Sequence, residues 1–196
     1  MKRIAIVYGG DSVEHDISIV TAFLVMEECK KKHLPFLPIY ISRKGELFTG
    51  KSLLKKENYE NLKGFKNGYL IKKRKKNYFV QGLHHFEIQA AILCVHGFGA
   101  EDGTVGGFLD TLQIPVSYGG VENAAILQDK YLTKELLFKE GIPVVEGRKI
   151  TKKEYFSDDF SLASFLEDFS FPLILKPVHL GSSIGVHKCE NLEDVE

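Results

Sequence analysis

The stretch RIAIVYGGDSVEHDIS, residues 3–18, joins an apolar run to a Gly-Gly turn and then to a segment with helical periodicity. Residues 3–8 predict a short strand that is buried on both faces, as in a parallel sheet. Over residues 12–31 apolar side chains recur at helical spacing and lysines crowd the end, which predicts a helix. The periodic positions are Val13, Ile17, Val20 and Leu24. A strand, a sharp turn and a helix in this order are typical of an α/β fold.

Later apolar runs extend this pattern over the first two thirds of the chain. Strands are predicted at 36–41 and 88–95, and the second of these runs into a glycine-rich loop followed by a helix. The fold class is therefore α/β, with an open, doubly wound and mainly parallel Rossmann-like sheet over residues 1–121. In such sheets ligands bind beyond the carboxyl ends of the strands, where the two glycine-rich turns lie.

The pattern changes after residue 121. A helix is predicted at 123–140 and a strand at 142–150. A short helix and two strands around a glycine-serine loop follow. This order predicts the first part of a second, smaller α+β unit over residues 122–196.

Composition excludes several classes of protein. The 196 residues carry no formal net charge, so nothing global favours nucleic acid, a membrane or an acidic partner. No run approaches the roughly 18 apolar residues that span a bilayer. Three scattered cysteines without a CxxC pair indicate reduced thiols. We therefore expect a cytoplasmic protein that binds neither nucleic acid nor membrane.

A lysine-rich stretch, residues 51–77, is the feature that most favours nucleic-acid binding. It contains the run KKRKK at 72–76. Because no aromatic residues interleave the run as in a recognisable nucleic-acid-binding fold, a solvated hairpin or loop is the favoured interpretation.

The turn at residues 11–18 has two interpretations of equal weight. In the first, Asp11 and Glu14 form a capping box at the start of the helix. In the second, Glu14 and Ser18, four residues apart on one helix face, receive the ammonium group of a ligand. The capping box leaves His15 and Ser18 unexplained.

A second motif, HGFGAEDG at 96–103, follows the most apolar strand. Its glycines allow tight turns or the close approach of a ligand, and Asp102 is able to cap the next helix. A histidine at the ligand-binding edge of a sheet favours a functional role for His96 over that of an ordinary loop residue.

The third motif is LILKPVHLGSSIG, residues 173–185. Lys176 ends an apolar strand, and the loop Gly181, Ser182, Ser183 offers amides and hydroxyls that can cradle phosphate oxygens. A GSS turn alone is more often only a turn, and no GxxxxGK[ST] loop is present. Together with Lys130 and Lys176, the loop favours phosphate binding.

These motifs, in this order and spacing and with DKYLTK at 129–134 between them, resemble the D-alanine–D-alanine ligases of the ATP-grasp superfamily. The resemblance covers essentially the whole chain. It implies a pre-ATP-grasp domain followed by a truncated ATP-grasp central domain, that is, the N-terminal portion of a longer enzyme. The chain stops at ENLEDVE, where a helix has barely begun, and this also leads us to expect a longer protein.

The resemblance implies how two D-alanines would be bound and joined. The carboxylate of the first D-alanine would attack the γ-phosphate of ATP, and the amine of the second D-alanine would attack the resulting acyl phosphate. The dipeptide formed would serve peptidoglycan synthesis. Glu14, with Ser18 beside it, would bind the first ammonium group, and Ser182 would help to hold Glu14 across the domain boundary. His96 would sit near the second substrate or the tetrahedral oxyanion. Glu14, Ser182 and His96 are thus the implied catalytic residues.

The resemblance also implies the ATP site. Lys130 and Lys176 would contact the phosphates, and Gly181, Ser182 and Ser183 would fold over them. The Mg²⁺ ligands and a catalytic arginine would lie past residue 196, so residues 1–196 alone are expected to lack ligase activity. The family makes a homodimer a further expectation.

Three residues depart from the family pattern. Ala100 replaces the first glycine of G-E-D-G, Val116 replaces a tyrosine, and Tyr118 stands where a glycine is usual. Two alternatives stay open: a variant ligase that uses D-lactate or D-serine as second substrate, and a non-catalytic, flavodoxin-like ligand-binding module. The module predicts no cooperation between Glu14 and Ser182.

Overall fold

The computed structural model describes residues 2–59, 62, 65–97 and 99–195, which fall into two units. Unit 1 is Met1–Ala125 and unit 2 is Ile126–Glu196. The predicted boundary between residues 121 and 122 lies near this division and stays a prediction. The sequence changes in texture where a helix begins at Val121, but the units divide inside that helix.

Unit 1 is built on a seven-stranded sheet. Its strands are β1 (Arg3–Gly9), β2 (Phe36–Ile41), β3 (Leu47–Phe48), β4 (Asn67–Lys73), β5 (Lys76–Gln81), β6 (His84–Leu93) and β7 (Val116–Ser117). Its core is the parallel array β2-β1-β6-β7, in which β1 pairs with both β2 and β6, and β6 pairs with β7. The predicted α/β class with a parallel core is confirmed.

Strands β3, β4 and β5 form an antiparallel extension that the sequence pattern did not predict as part of the sheet. They lead from β2 back to the first half of β6, so the hydrogen-bonded pairing returns to the parallel core. The run KKRKK lies at the turn between β4 and β5, where Lys73 pairs with Lys76 and the side chains are exposed. The solvated hairpin predicted there is confirmed.

The parallel strands are covered on both faces. Ala5 of β1 packs in one core with Leu109 of helix α2 (Thr104–Thr111). Ile6 and Tyr8, which alternate with it along β1, pack in a second core with Met26 of helix α1 (His15–Lys31). Because successive residues of a strand point to opposite faces, a near-continuous apolar run is needed to fill both cores.

Helix α1 turns its periodic apolar residues outward. Ile17, Val20 and Leu24 are 57%, 46% and 61% exposed, and Val13, just before the helix, is 55% exposed. A different face of the helix is turned to the sheet. Its buried residues are His15, Ser18, Ala22, Met26 and Cys29, and the partly buried Ile19, Phe23 and Val25 pack against the same core. An exposed stripe of large apolar side chains on one helix is a surface that a partner is able to cover.

Unit 2 contains short elements around one two-stranded sheet. Its helices are α3 (Val121–Gln128, which begins in unit 1), α4 (Lys130–Lys139), α5 (Lys152–Tyr155) and α6 (Leu162–Phe165), and its antiparallel strands are β8 (Leu173–Leu175) and β9 (His187–Cys189). The single helix predicted at 123–140 is wrong, because Asp129 ends α3 and caps α4. The strand predicted at 142–150 is also wrong. In the described part of unit 2 only β8 and β9 pair, so this segment has no neighbouring strand.

Candidate active site

Two loops meet at the carboxyl ends of β1 and β6, which are neighbours in the sheet. One loop follows β1 and leads to Glu14, and the other follows β6 and carries His96. They pack closely at Gly97, where an added β-carbon would lie 2.3 Å from Ser12 Oγ and 2.9 Å from Glu14 Oε2. The two motifs that the sequence placed at the ligand-binding edge are therefore in contact within unit 1.

Glu14 occupies the N-cap position of α1 but makes no side-chain capping bond. Its backbone N–H donates to Ser12 Oγ over 3.1 Å, and Arg43 donates to the Ser12 carbonyl over 2.7 Å. The helix begins four residues after Asp11, whose side chain is exposed, so the predicted Asp11–Glu14 capping box is wrong. Glu14 is not needed to close the helix, which favours the second interpretation of this turn.

Ser18 is fully buried, and its hydroxyl is occupied by the backbone. It donates to the His15 carbonyl over 2.6 Å and accepts from the Gly9 N–H over 2.8 Å. The expectation that Ser18 contacts a substrate is therefore corrected, because a hydroxyl with both partners inside the fold cannot face a ligand. Ser18 instead fixes the turn that leads to Glu14.

His15 and Tyr40 hold the same turn, and sequence reasoning missed them both. His15 is buried, its Nδ1–H donates to the Gly10 carbonyl over 2.6 Å, and its Nε2 lies 3.1 Å from the Tyr40 hydroxyl. A carbonyl only accepts, so Nδ1 carries the proton and Nε2 accepts from Tyr40. Burial raises the pKa of Tyr40, which keeps this hydroxyl a donor. The signal in the sequence was a histidine that the capping box left unexplained.

His96 follows β6 and faces Glu101. Nδ1 of His96 lies 3.4 Å from Glu101 Oε1, while Glu101 Oε2 accepts the Gly97 N–H over 2.8 Å. Asp102 accepts from the N–H groups of Gly99 and Thr104 at 3.1 and 3.0 Å, so it shapes the loop although Gly103 holds the N-cap position of α2. The acidic pair of this motif thus orders the loop that presents His96.

Two of the departures from the family pattern are accommodated within unit 1. Ala100 is 1% exposed and lies outside the left-handed backbone region that favours glycine. The Tyr118 ring packs directly on Gly106 of α2, and its hydroxyl donates to Asp110. The aromatic ring at 118 therefore fills space that exists because residue 106 has no side chain.

In unit 2 the glycine-serine loop connects β8 to β9. Ser182 and Ser183 are exposed and have φ angles of 50° and 59°, in the left-handed region that is uncommon for residues other than glycine. Lys130 donates from Nζ to the carbonyls of Val178, over 3.2 Å, and Leu180. Lys130 thus ties α4 to the chain that leads into the loop.

Lys176 directly follows β8, and its side chain is exposed. Burial, together with the positive charge of Lys176, lowers the pKa of Lys134, which donates to the Val145 carbonyl over 2.6 Å. Lys134 and Lys176 thus lie near enough to influence each other, and a region of positive charge attracts phosphate oxygens.

Asp129 is a structural residue that sequence reasoning did not find. Its carboxylate accepts from the N–H groups of Tyr131 and Leu132 at 3.0 and 2.8 Å and from Lys149 Nζ at 3.0 Å. Burial alone would raise the pKa of Asp129, but the bonds from Leu132 and Lys149 outweigh it and lower that pKa. An aspartate inside a long helical pattern was the available signal.

Two kinds of feature are absent from the part of the chain that the structure describes. There, no group of three or more His, Cys, Asp or Glu side chains has the arrangement to hold a metal ion. Within the same residues, no helix combines the length and the apolar character needed to cross a bilayer.

Glu14 and Ser182 belong to different units, and their cooperation stays a prediction.

Two family models match the chain in succession. The model described as D-ala D-ala ligase N-terminus matches residues 3–119, and the one described as D-ala D-ala ligase C-terminus matches residues 136–196. The chain belongs to the D-alanine–D-alanine ligase family. The recognition made from the three motifs is confirmed.

Individual relatives agree with this assignment. The D-alanine–D-alanine ligase of Thermosipho melanesiensis is 37% identical over 208 residues, which cover 100% of the chain and 55% of that protein. A solved VanG D-Ala:D-Ser ligase from Enterococcus faecalis is 26% identical with a TM-score of 0.79, over 95% of the chain and 55% of its own. A Bacillus anthracis D-alanine–D-alanine ligase complexed with ATP is 25% identical with a TM-score of 0.64, over 100% and 52%. The chain spans about half the length of the curated relatives that it matches.

Proposed function

We propose that the full-length protein carrying this chain is a cytoplasmic, ATP-dependent D-alanine–D-alanine ligase of peptidoglycan synthesis. Membership of the ligase family supports this, as does the order of its two domain models. The observation that carries the proposal is the contact at Gly97, which joins the Glu14 and His96 loops at one edge of the sheet.

In the proposed reaction the first D-alanine carboxylate takes the γ-phosphoryl group of ATP and ADP leaves. The second D-alanine's amine then attacks the acyl phosphate, and phosphate leaves with the new peptide bond in place. Such chemistry depends on positioning and on neutralising charge. This chain would supply the groups that hold the first amino acid and the phosphates.

Glu14 is proposed to receive the ammonium group of the first D-alanine. The turn that presents it is fixed by backbone contacts of Ser18 and His15. A carboxylate held in this way is preorganised for a cation, because its supporting bonds form on folding and not on binding. Ser182 is proposed to help to hold Glu14 when the two units cooperate.

His96 is proposed to lie near the second substrate or the tetrahedral oxyanion. Its ring is 31% exposed, so it remains accessible while Glu101 orders the loop around it. A polar group held at the place where negative charge develops contributes strongly to acyl transfer.

ATP is proposed to bind along unit 2. Lys176 is an exposed cation of this unit, with Lys134 near it, and the Gly181–Ser183 loop lies between β8 and β9 along the chain. Lys130 is proposed to contact the phosphates as well. Its bonds to the Val178 and Leu180 carbonyls already place it next to the segment that leads into this loop. Mg²⁺ would neutralise phosphate charge, and its ligands are expected beyond residue 196.

D-serine is an alternative to D-alanine as the second substrate, and one specific observation favours it. The VanG D-Ala:D-Ser ligase from Enterococcus faecalis is among the structural neighbours, at 26% identity. The relative from T. melanesiensis, at 37% identity, is named a D-alanine–D-alanine ligase, and we therefore place D-alanine first.

A homodimer is also proposed, and the exposed stripe of α1 supports it. Val13, Ile17, Val20 and Leu24 offer apolar area that a second copy would cover. Light scattering of the full-length protein should give a mass twice that of one chain. The Ile17→Lys variant should give the mass of a single chain. A wild-type monomer at micromolar concentration would contradict the dimer.

The function is tested by phosphate release from the full-length protein with ATP, Mg²⁺ and pairs of D-amino acids. We expect release with D-alanine alone, less with D-serine or D-lactate as second substrate, and none from residues 1–196 tested as they stand. Inactivity of the full-length protein towards all three pairs would overturn the ligase assignment. Activity of residues 1–196 would overturn the expectation that essential groups lie elsewhere.

A further inference from the structure

The Thr21 hydroxyl links helix α1 to the loop that follows β6. Its Oγ1 lies 2.9 Å from Nε2 of His96. The same hydroxyl donates to the Ile17 carbonyl, one turn earlier in α1, over 3.1 Å. A hydroxyl has one proton, and the Ile17 carbonyl only accepts. The Thr21 oxygen is therefore the acceptor of an N–H from His96 Nε2.

This bond fixes the imidazole of His96 from one side. On the opposite edge of the ring, Nδ1 lies 3.4 Å from Glu101 Oε1, which is longer than an ordinary N–H···O hydrogen bond. Glu101 is itself anchored through its other oxygen by the Gly97 N–H over 2.8 Å. The two side chains next to the ring, Thr21 and Glu101, are thus each held by a backbone group.

We propose that Thr21 is a positioning residue for His96 in the ligase reaction. It sets the orientation of the ring and the nitrogen that carries the proton, and this assignment rests on the proposed function of His96. A group that stabilises developing charge is effective when it is held before the reaction begins. In a free loop the imidazole would sample other rotamers and both neutral tautomers.

The kinetic test compares Thr21→Val with Thr21→Ser in the full-length protein. We expect the valine variant to lose about 5- to 10-fold in kcat/KM for the second D-alanine, the effect of one hydrogen bond. The serine variant keeps the hydroxyl and should stay within about 2-fold of wild type. Thr111→Val is the matched control, because Thr111 Oγ1 makes the same type of bond, to the Gly107 carbonyl over 2.9 Å, on α2.

A double-mutant cycle separates positioning from a general effect on α1. In a His96→Ala background Thr21→Val should cause no further loss, because the group that it positions is already gone. A loss of the same size in that background would overturn the proposal. So would a Thr21→Val enzyme that behaves like Thr111→Val.

Imidazole nitrogen NMR on residues 1–196 tests the bond itself without any ligase activity. The wild-type His96 spectrum should report a protonated Nε2, and Thr21→Val should shift the ring towards a mixture of tautomers. Identical His96 nitrogen shifts in both proteins would refute the bond. If the full-length protein proves inactive while the NMR result holds, the proposed function fails and the contact between Thr21 and His96 stands.

Discussion

Substituting Gly97 by alanine should disturb the candidate active site more than its backbone angle explains. Gly97 has a φ of +80°, and an added β-carbon would lie 2.3 Å from Ser12 Oγ. Ser12 would have to move, which weakens the 3.1 Å bond that its hydroxyl accepts from the Glu14 N–H. The substitution therefore acts on the residue proposed to bind the first substrate.

The magnitude follows from three contributions. A left-handed backbone costs a residue with a β-carbon about 1–2 kcal/mol. Overpacking of a filled contact adds about 1–3 kcal/mol. Loss of the Ser12 bond adds about 1 kcal/mol. Gly45→Ala is the matched control, because Gly45 has a φ of +79° with nothing within 4 Å of its added β-carbon.

Urea unfolding of both variants measures the difference. Because the backbone contribution is common to both variants, we expect Gly97→Ala to lower the free energy of unfolding by about 2–4 kcal/mol more than Gly45→Ala does. In the full-length enzyme, Gly97→Ala should also raise the KM for the first D-alanine, whereas Gly45→Ala should not. Equal unfolding energies and equal KM values for the two variants would refute the close contact between the loops.

Three further predictions concern stability and thiol chemistry. Asp129→Ala should lower the free energy of unfolding by about 1–2 kcal/mol near neutral pH, because the cap of α4 is lost. The pKa of Asp129 is lowered in the folded state, so protonation removes this stabilisation. In urea unfolding, the difference in free energy between the variant and wild type should therefore narrow as the pH falls below about 4. Ser18→Ala should lower the free energy of unfolding by about 1–3 kcal/mol, because the buried Gly9 N–H loses its acceptor; an unchanged thermal midpoint would contradict the corrected role of Ser18. Burial raises the pKa of Cys94 to about 11. At pH 8, Cys94 should therefore react slowly with a thiol reagent in the native protein and quickly in the unfolded protein. Rapid labelling of Cys94 in the native protein would contradict its burial.

The parallel core could be predicted because its residues are constrained on both faces. The run at residues 4–8 has no charged residue, and a strand between two layers buries both faces of such a run. The two glycine-rich turns follow neighbouring strands, so the sheet geometry alone brings them together. The same reasoning did not predict β3–β5. Tight turns join β4 to β5 and β5 to β6, but these strands mix lysines with apolar residues and have no continuous apolar run.

The orientation of α1 shows where periodicity stops being informative. The spacing of Val13, Ile17, Val20 and Leu24 predicts one apolar face but does not tell which way that face points. The contacts with the sheet are made instead by another face of the helix, which carries Ala22, Met26 and Phe23.

The sequence predicted the motifs of the candidate site but not the hydrogen bonds that support them. Glu14 and His96 stood out because their residue types are unusual at the end of a buried strand. His15, Thr21 and Tyr40 did not, since their roles depend on hydrogen bonds to backbone and rings that only the fold brings near. Asp129 was hidden because a helix break at one residue resembles a continuous helix in periodicity.

The central claim, that the turn after β1 holds the ammonium group of a D-amino acid through Glu14, has one direct measurement. It is the KM for the first D-alanine in phosphate release by the full-length protein, compared between Glu14→Gln and Asp11→Asn. Both variants remove one carboxylate from the same turn, and the Asp11 side chain is exposed. We predict that Glu14→Gln raises this KM by about 10-fold or more, as expected for a charge-assisted bond, while Asp11→Asn stays within about 2-fold of wild type. Equal KM values for the two variants would contradict the claim.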